Sequence, residues 1–149
     1  MTDIFDKRYI FLNENLKNQD DAFRFIANTA VNLGFGDDEA AILEALKDRE
    51  AQASTGLQDG IAIPHAITSH ITRPAVLFIR SHSPIMDWET LDDVPIKQII
   101  VMLVPKGEED EHLQVLADFA GALVDDDKRE ALGTSKTVDQ VYSLLTATN

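Results

Sequence analysis

Three short apolar segments restrict the fold more than any other feature of the sequence. They are "IAI" at 61–63, "AVLFI" at 75–79 and "IIVMLV" at 99–104. All three are nearly continuous and rich in branched residues, as β-strands covered on both faces are, and they lack the polar alternation of a half-solvated sheet. Layers of helix are therefore expected on both sides of a central sheet, to which "YIFLN" at 9–13 adds a further short strand.

Two helices are expected before the first of these three segments. Residues 20–33 carry apolar side chains on one helical face and are followed by Gly34, which favours a helix end. A second helix is expected from about Asp37, a candidate N-cap, to residue 50. Glycine and proline are scattered, and no internal repeat or low-complexity linker is present, so the sequence predicts a single domain spanning residues 1–149.

Helical spacing returns in the last third of the chain. One apolar face is predicted from five residues: Leu113, Leu116, Ala117, Ala120 and Leu123. A short turn of helix is expected at 128–132, and Thr137 with Gln140 forms a capping box in front of the last helix. These helices can cover the second face of the sheet. The sequence therefore predicts an α/β fold, a three-layer α/β/α sandwich with a mixed, mostly parallel central sheet.

Charge and composition exclude several classes of function. The 149 residues include 26 acidic and 13 basic side chains, and the net charge of −13 repels phosphate backbones and anionic lipids. Neither nucleic acid nor a membrane surface is expected as a partner. The absence of cysteine excludes disulfides and thiolate sites and favours a reducing, cytoplasmic location. The charged N-terminal segment predicts neither a signal peptide nor a membrane anchor.

His65 is the residue that this pattern singles out for chemistry. It follows "IAI" and Pro64, whose ring fixes one backbone dihedral angle and limits the directions in which the imidazole can point. At an unperturbed pKa of about 6.5 the ring is mostly neutral at pH 7, so a nitrogen lone pair is available as a nucleophile. The local pattern is also compatible with a histidine that only caps the end of a strand by hydrogen bonding, and on these residues alone both interpretations stay open.

Three other kinds of site fit the sequence poorly. A zinc site would need a third ligand beside His65 and His70, such as His82, and this spacing follows no recognised pattern. The segment "STG" at 54–56 lacks the strand–turn–helix context of a serine hydrolase. The segment "GFGDDEA" at 34–40 lacks the third glycine of a dinucleotide site and follows a helix instead of a strand. No cofactor or metal is therefore expected.

Longer segments carry a resemblance to a known family. "DREAQASTGLQDGIAIPHA" at 48–66, "WETLDDVPIKQIIVMLVP" at 88–105 and "EHLQVLADFAGALVDD" at 111–126 closely resemble enzyme IIA of the fructose/mannitol type, whose family includes nitrogen-regulatory relatives. The resemblance covers nearly all of the chain and implies a component of the bacterial sugar phosphotransferase system. Such a protein accepts a phosphoryl group, here on His65, from the histidine phosphocarrier protein. It passes the group to an enzyme IIB domain, which serves the membrane enzyme IIC, without a soluble cofactor.

The resemblance also implies roles for residues around His65. His112 matches the family's second histidine and would orient and stabilise the phosphoryl group, since an anion and a neutral ring are both favoured in the first turn of a helix. Arg49 matches an arginine close to the active histidine, where a guanidinium about 5 Å from a unit negative charge contributes on the order of 3 kcal/mol at an effective dielectric constant near 20. Thr55 and Ser54 can donate hydroxyl hydrogen bonds to the same group or only shape the turn.

The sequence differs from the family pattern at one position, and another residue bears on the subtype. The residue after the active histidine is commonly glycine in this family and here is Ala66, which slightly narrows the available backbone angles without predicting loss of function. Trp88 resembles the fructose-type branch more than the mannitol type. The predicted function is phosphoryl transfer on a sugar-uptake route. The alternative is a nitrogen-type regulatory protein whose phosphorylation state controls binding to protein targets.

Overall fold

The chain folds around one sheet with helices on both of its faces, as seen in a computed structural model. The structure describes residues 4–123 and 125–146, with their side chains except those of residues 113, 115, 116 and 120. Within these ranges the strands are β1 (Ile10–Glu14), β2 (Ile61–Ala62), β3 (His65–Thr68), β4 (Ala75–Ile85) and β5 (Ile96–Pro105). The helices of the same ranges are α1 (Gln19–Asn32), α2 (Glu39–Gln52), α3 (Leu113–Ala122), α4 (Asp126–Thr134) and α5 (Val138–Thr146). None of the helices described is both long and apolar enough to cross a membrane.

The sheet is mixed and mostly parallel, which confirms the predicted sheet type. Its strands lie in the order β1–β4–β5–β2, and β3 pairs with β5 beyond the end of β2. β1 is parallel to β4, and both β2 and β3 are parallel to β5, whereas β4 and β5 are antiparallel. The two short strands β2 and β3 therefore form one edge of the sheet in tandem.

Alternating strand residues face the two helical layers, because successive side chains of a strand point to opposite faces. α1 and α2 share a core with one set of strand residues: Leu77, Ile79, Val101 and Leu103. α4, α5 and Phe119 of α3 share a second core with the alternate set: Val76, Phe78, Ile100 and Met102. Each fully buried side chain of this size stabilises the fold by roughly 1.5–3 kcal/mol. The predicted three layers are thus present.

The predicted apolar face of the third helix is only partly described. Leu123, just beyond α3, is buried as expected, whereas Ala117 is exposed. The side chains of Leu113, Leu116 and Ala120 lie outside the described residues.

The helix ends follow local capping rules with one shift. The N-cap of α2 is Asp38, whose side chain accepts from the Ala41 amide, and not Asp37 as predicted. The carboxylate of Asp37 instead contacts the His70 ring, with 2.9 Å between Oδ1 and Nδ1. The capping box before α5 forms as predicted, because the amide of Gln140 donates to Thr137 Oγ1 at 3.1 Å and the amide of Thr137 donates back to Gln140 Oε1 at 3.2 Å.

His65 begins a strand instead of following one. β2 ends at Ala62, and pairing with β5 resumes at His65, which lies opposite Met102. Pro64 in the gap has no amide to donate, but its carbonyl accepts from the Met102 amide at 3.0 Å. The edge therefore continues past the proline with one missing donor. The four residues of β3 are too few and too polar for the sequence to have predicted a strand there.

Candidate functional site

His65 lies on a cleft of about 680 Å³ that is bordered by α2, by β3 and by the segment after β5. α2 contributes Arg49 together with Glu44 and Asp48, and the segment after β5 contributes Lys106. The half-exposed side chain of Ile67, two residues along β3 from His65, adds an apolar wall. The cleft therefore brings together two of the five predicted site residues, His65 and Arg49.

Burial and a neighbouring cation keep the His65 ring neutral. Desolvation lowers its pKa below the ordinary value of 6.5, because removal from water disfavours the imidazolium form. The positive charge of Arg49 lowers the pKa further, whereas the Ile63 backbone and the Glu50 carboxylate oppose the shift without reversing it. At neutral pH the ring is therefore uncharged and retains a nucleophilic lone pair.

The two ring nitrogens of His65 have different surroundings. Nδ1 is shielded from solvent and has no hydrogen-bond partner in the described part of the chain. The Ile63 backbone lies near enough to raise the pKa, but it forms no hydrogen bond with Nδ1. Nε2 is not shielded in this way, and the ring borders the cleft. Nε2 is thus the ring atom that an incoming partner can reach.

Arg49 is held beside His65 by the end of its own helix. Its Nη1 donates to the carbonyl of Ala53 at 2.9 Å, an acceptor just past the last turn of α2. Among the described residues Arg49 forms no ion pair with a carboxylate, and the adjacent Glu50 is bound elsewhere. A guanidinium without a carboxylate partner, next to a neutral nucleophile, favours an anionic group in the cleft.

Glu50 is a part of the site that the sequence analysis missed. Its Oε2 accepts from the Thr55 amide at 2.8 Å and from Trp88 Nε1 at 3.0 Å, and its Oε1 accepts from Thr55 Oγ1 at 2.6 Å. One carboxylate thereby joins α2, the loop that leads to β2 and the connection between β4 and β5. Two of its partners lie five and 38 residues away in sequence, so no local motif could have revealed them.

The hydroxyls of Ser54 and Thr55 are engaged within the loop that leads to β2. Ser54 Oγ donates to the Glu89 carbonyl at 2.6 Å and accepts from the Gly56 amide at 3.1 Å. The Thr55 hydroxyl donates to Glu50, as described above, and the side chain is buried. Donation to a bound phosphoryl group, one of the two predicted roles, would require these bonds to break, and it stays a prediction.

His112 directly precedes α3, one residue before the helical position predicted for it. Its ring Nε2 is 3.2 Å from Oε1 of Glu108. These two residues and Glu111 bring three potential metal-ligand atoms within 4.8 Å of one another. Acidic side chains commonly cluster at this spacing without an ion, and we assign no metal site there.

The segment from Lys106 to His112 borders the cleft near its start, at Lys106 and Glu109. The Lys106 amide donates to the Thr68 carbonyl at 3.2 Å, and both side chains border the cleft with Glu109. His112 is not among the described residues that border it. Because Thr68 lies three residues beyond His65 on β3, the segment begins about 10 Å along the strand from the nucleophile. The predicted role of His112 in orienting and stabilising the phosphoryl group therefore stays a prediction.

The lowered pKa of His65 predicts a pH dependence. Since only the neutral ring has a free lone pair, the reactivity of His65 should fall as the pH drops through its pKa. The pH at which half of the reactivity remains should therefore lie below 6.5. An Arg49→Gln substitution removes one cause of the lowered pKa, so the pKa of His65 should rise, while burial, the larger cause, continues to lower it. NMR titration of the His65 ring in both proteins measures this. A wild-type midpoint above 6.5 would contradict the assignment.

Comparison with known proteins identifies the family. The family model described as "Phosphoenolpyruvate-dependent sugar phosphotransferase system, EIIA 2" matches residues 3–148. The PTS system fructose-specific EIIA component of Haloferax volcanii is 38% identical over 136 residues, which cover 91% of this chain and 88% of that protein.

Two solved structures share the fold. The nitrogen regulatory protein IIA-Ntr from Neisseria meningitidis superposes with a TM-score of 0.87 at 29% identity and covers 97% of both chains. Enzyme IIA-Mtl from Escherichia coli, in its complex with phosphorylated enzyme IIB-Mtl, gives a TM-score of 0.77 at 26% identity over 95% of this chain and 98% of that one. The family resemblance of the sequence is confirmed: the chain belongs to the EIIA 2 family of phosphoryl carriers of the phosphoenolpyruvate-dependent sugar phosphotransferase system.

Proposed function

We propose that this chain accepts a phosphoryl group on Nε2 of His65 from the histidine phosphocarrier protein and passes it to an enzyme IIB domain during sugar uptake. The observation that carries the proposal is a neutral imidazole, held at the start of an edge strand and open to a cleft that also holds Arg49. The proposal requires a partner protein to reach this cleft and does not require the chain to bind a sugar.

The proposed transfer is a direct exchange between nitrogen atoms. The lone pair of His65 Nε2 attacks phosphorus, a new N–P bond forms, the N–P bond of the donor breaks, and its electron pair returns to the donor imidazole. This step requires that the proton of the His65 ring reside on Nδ1, the nitrogen that is shielded from solvent. Because the transition state is loose and its charge is spread over the phosphoryl oxygens, positioning and charge compensation supply most of the catalysis. Arg49, whose positive charge acts on the His65 ring, compensates that charge.

His112 and the loop hydroxyls take secondary parts in the proposal. His112 stabilises the phosphoryl group if its ring exchanges Glu108 for a phosphoryl oxygen. Ser54 and Thr55 shape the loop through their hydrogen bonds to the Glu89 carbonyl and to Glu50.

The acceptor distinguishes two versions of the function. The relative from Escherichia coli forms a complex with phosphorylated enzyme IIB-Mtl, and this supports a IIB domain as the acceptor here. The similarity to IIA-Ntr, at a TM-score of 0.87, favours the alternative in which the phosphorylation state controls binding to regulatory targets. Both versions use His65, and only the first requires that the phosphoryl group leave for a IIB domain.

A relay assay tests the proposal. The chain is incubated with labelled phosphoenolpyruvate, enzyme I and the phosphocarrier protein, separated from them, and then mixed with a purified IIB domain of the fructose type. We expect an acid-labile adduct on the chain, followed by transfer of label to IIB. Label that reaches the chain but moves to no IIB domain would favour the regulatory alternative. A chain that takes up no label from the complete system would refute both versions.

A further inference from the structure

Glu50 of α2 forms hydrogen bonds with two other parts of the chain, the loop before β2 and the connection between β4 and β5. Its carboxylate receives three hydrogen bonds, two from Thr55 and one from the indole of Trp88. Trp88 is buried and packs edge-to-face on Phe23 of α1, with ring centroids 5.5 Å apart. All three partners are donors, so the ionised carboxylate is the form that satisfies them. The arrangement fixes Thr55 from the side of the protein core.

Thr55 in turn holds the backbone just before His65. Its carbonyl accepts from the Ile63 amide at 3.0 Å, two residues before the nucleophile. Pro64 between them fixes the next backbone dihedral angle, so little freedom separates the Ile63 amide from the imidazole. Thr55 is only 4% exposed, and it has no room to move without disturbing its neighbours. A short chain of hydrogen bonds therefore runs from the Glu50 carboxylate to the backbone two residues before His65.

We propose that Glu50 is a positioning residue for phosphoryl transfer: its carboxylate fixes, through Thr55 and Ile63, the backbone that carries the His65 imidazole, and its charge opposes that of Arg49 at the ring. This inference rests on the proposed function of His65. Glu50 does not border the cleft in the described part of the chain and need not touch the phosphoryl group. Arg49 and Glu50, adjacent on α2, act on the ring with opposite sign, the first lowering and the second raising its pKa.

Two substitutions separate the geometric role of Glu50 from its charge. In Glu50→Gln the amide oxygen can still accept from the Thr55 amide and from Trp88, while the amide nitrogen donates to the Thr55 hydroxyl, which can turn to accept. The geometry is kept and the charge is lost. In Glu50→Ala the three hydrogen bonds and the charge are lost together. Glu130→Gln, an exposed carboxylate of α4, is the matched control for loss of one negative charge.

The two variants should differ in kinetics. A misplaced nucleophile slows transfer, so Glu50→Ala should lower kcat by on the order of 10- to 100-fold with a smaller change in KM for the phosphocarrier protein. Glu50→Gln should keep kcat within about threefold at neutral pH and should shift the acid limb of the pH–rate profile to lower pH, because the charge that raises the pKa of His65 is gone. Glu130→Gln should match the wild type in both.

NMR of the His65 ring nitrogens, without any transfer reaction, supplies a readout that does not depend on the proposed function. Glu50→Ala should change the ring ¹⁵N shifts. Thr55→Val, which removes one hydrogen bond of the same chain, should also change them and is the second variant to measure if Glu50→Ala fails to fold. The inference would be overturned if folded Glu50→Ala had the ring shifts and the kcat of the wild type. If Glu50→Ala does not fold, the same result in folded Thr55→Val would overturn it. A wild-type chain that is never phosphorylated would refute the proposed function and leave the ring measurement valid.

Discussion

His65→Ala is expected to abolish phosphoryl acceptance while leaving the protein folded. The imidazole is the nucleophile in the proposed transfer, and no other histidine borders the cleft among the described residues. Loss of the attacking atom should lower the transfer rate by roughly 10³-fold or more, as loss of a nucleophile does in other enzymes. Mass spectrometry of the intact protein after incubation with the complete phosphorylating system should detect the adduct in the wild type alone.

The same substitution should cost little stability. Nδ1 of His65 is shielded from water and lacks a hydrogen-bond partner in the described part of the chain, and such an atom destabilises a fold. Its removal offsets the small cavity that alanine leaves, so the free energy of unfolding should change by less than about 1 kcal/mol. This combination, a stable protein without activity, is typical of a residue that is kept for function at the expense of the fold.

His70→Ala and His82→Ala are the matched controls. The His70 ring contacts the carboxylate of Asp37, the His82 ring contacts the side-chain amide of Asn13, and neither histidine borders the cleft. Both variants should accept the phosphoryl group at the wild-type rate. An adduct that persists in His65→Ala, or one that disappears in either control, would move the assignment to another histidine.

The fold was predictable from sequence where its determinants are local or strongly apolar. The "IIVMLV" segment became the centre of β5 because branched apolar residues suit a strand buried on both faces. The capping box of Thr137 and Gln140 formed because its bonds join residues three apart. β3 was missed because its pairing with β5 depends on a partner more than 30 residues away and on a proline whose carbonyl still accepts a hydrogen bond.

Some residues of the site were likewise predictable from sequence and others were not. His65 and Arg49 were predicted from residue type and family resemblance, and the fold places both on one cleft. Glu50 was missed as a functional residue because a carboxylate near the end of a helix has no distinctive local pattern. Its importance depends on donors supplied by a loop and by Trp88. Tertiary contacts of this kind cannot be inferred from spacing within a single sequence.

Gly56→Ala is expected to lower the stability of the fold. A Cβ at this position would lie 2.2 Å from the Glu89 carbonyl oxygen and 3.1 Å from Cγ2 of Thr90. The nearer obstacle is backbone, and it is held in place because Ser54 Oγ donates to the same oxygen. Relief of the clash therefore requires the loop or the β4–β5 connection to move. Such overpacking typically costs about 1–3 kcal/mol, and urea unfolding should show a lower midpoint with an unchanged slope.

Gly121→Ala is the control for the change from glycine to alanine. Gly121 is exposed in α3, and a Cβ there would meet no described atom within 4 Å beyond its chain neighbours and its own helix backbone. The substitution should therefore stabilise the helix by roughly 0.5–1 kcal/mol. The two glycine-to-alanine substitutions should therefore shift the urea unfolding midpoint in opposite directions. Equal midpoints for Gly56→Ala and the wild type would mean that the Glu89 carbonyl moves aside at no cost. Because Gly56 follows Thr55, the displaced loop should also slow phosphoryl transfer in the folded variant, by the same route that links Glu50 to His65.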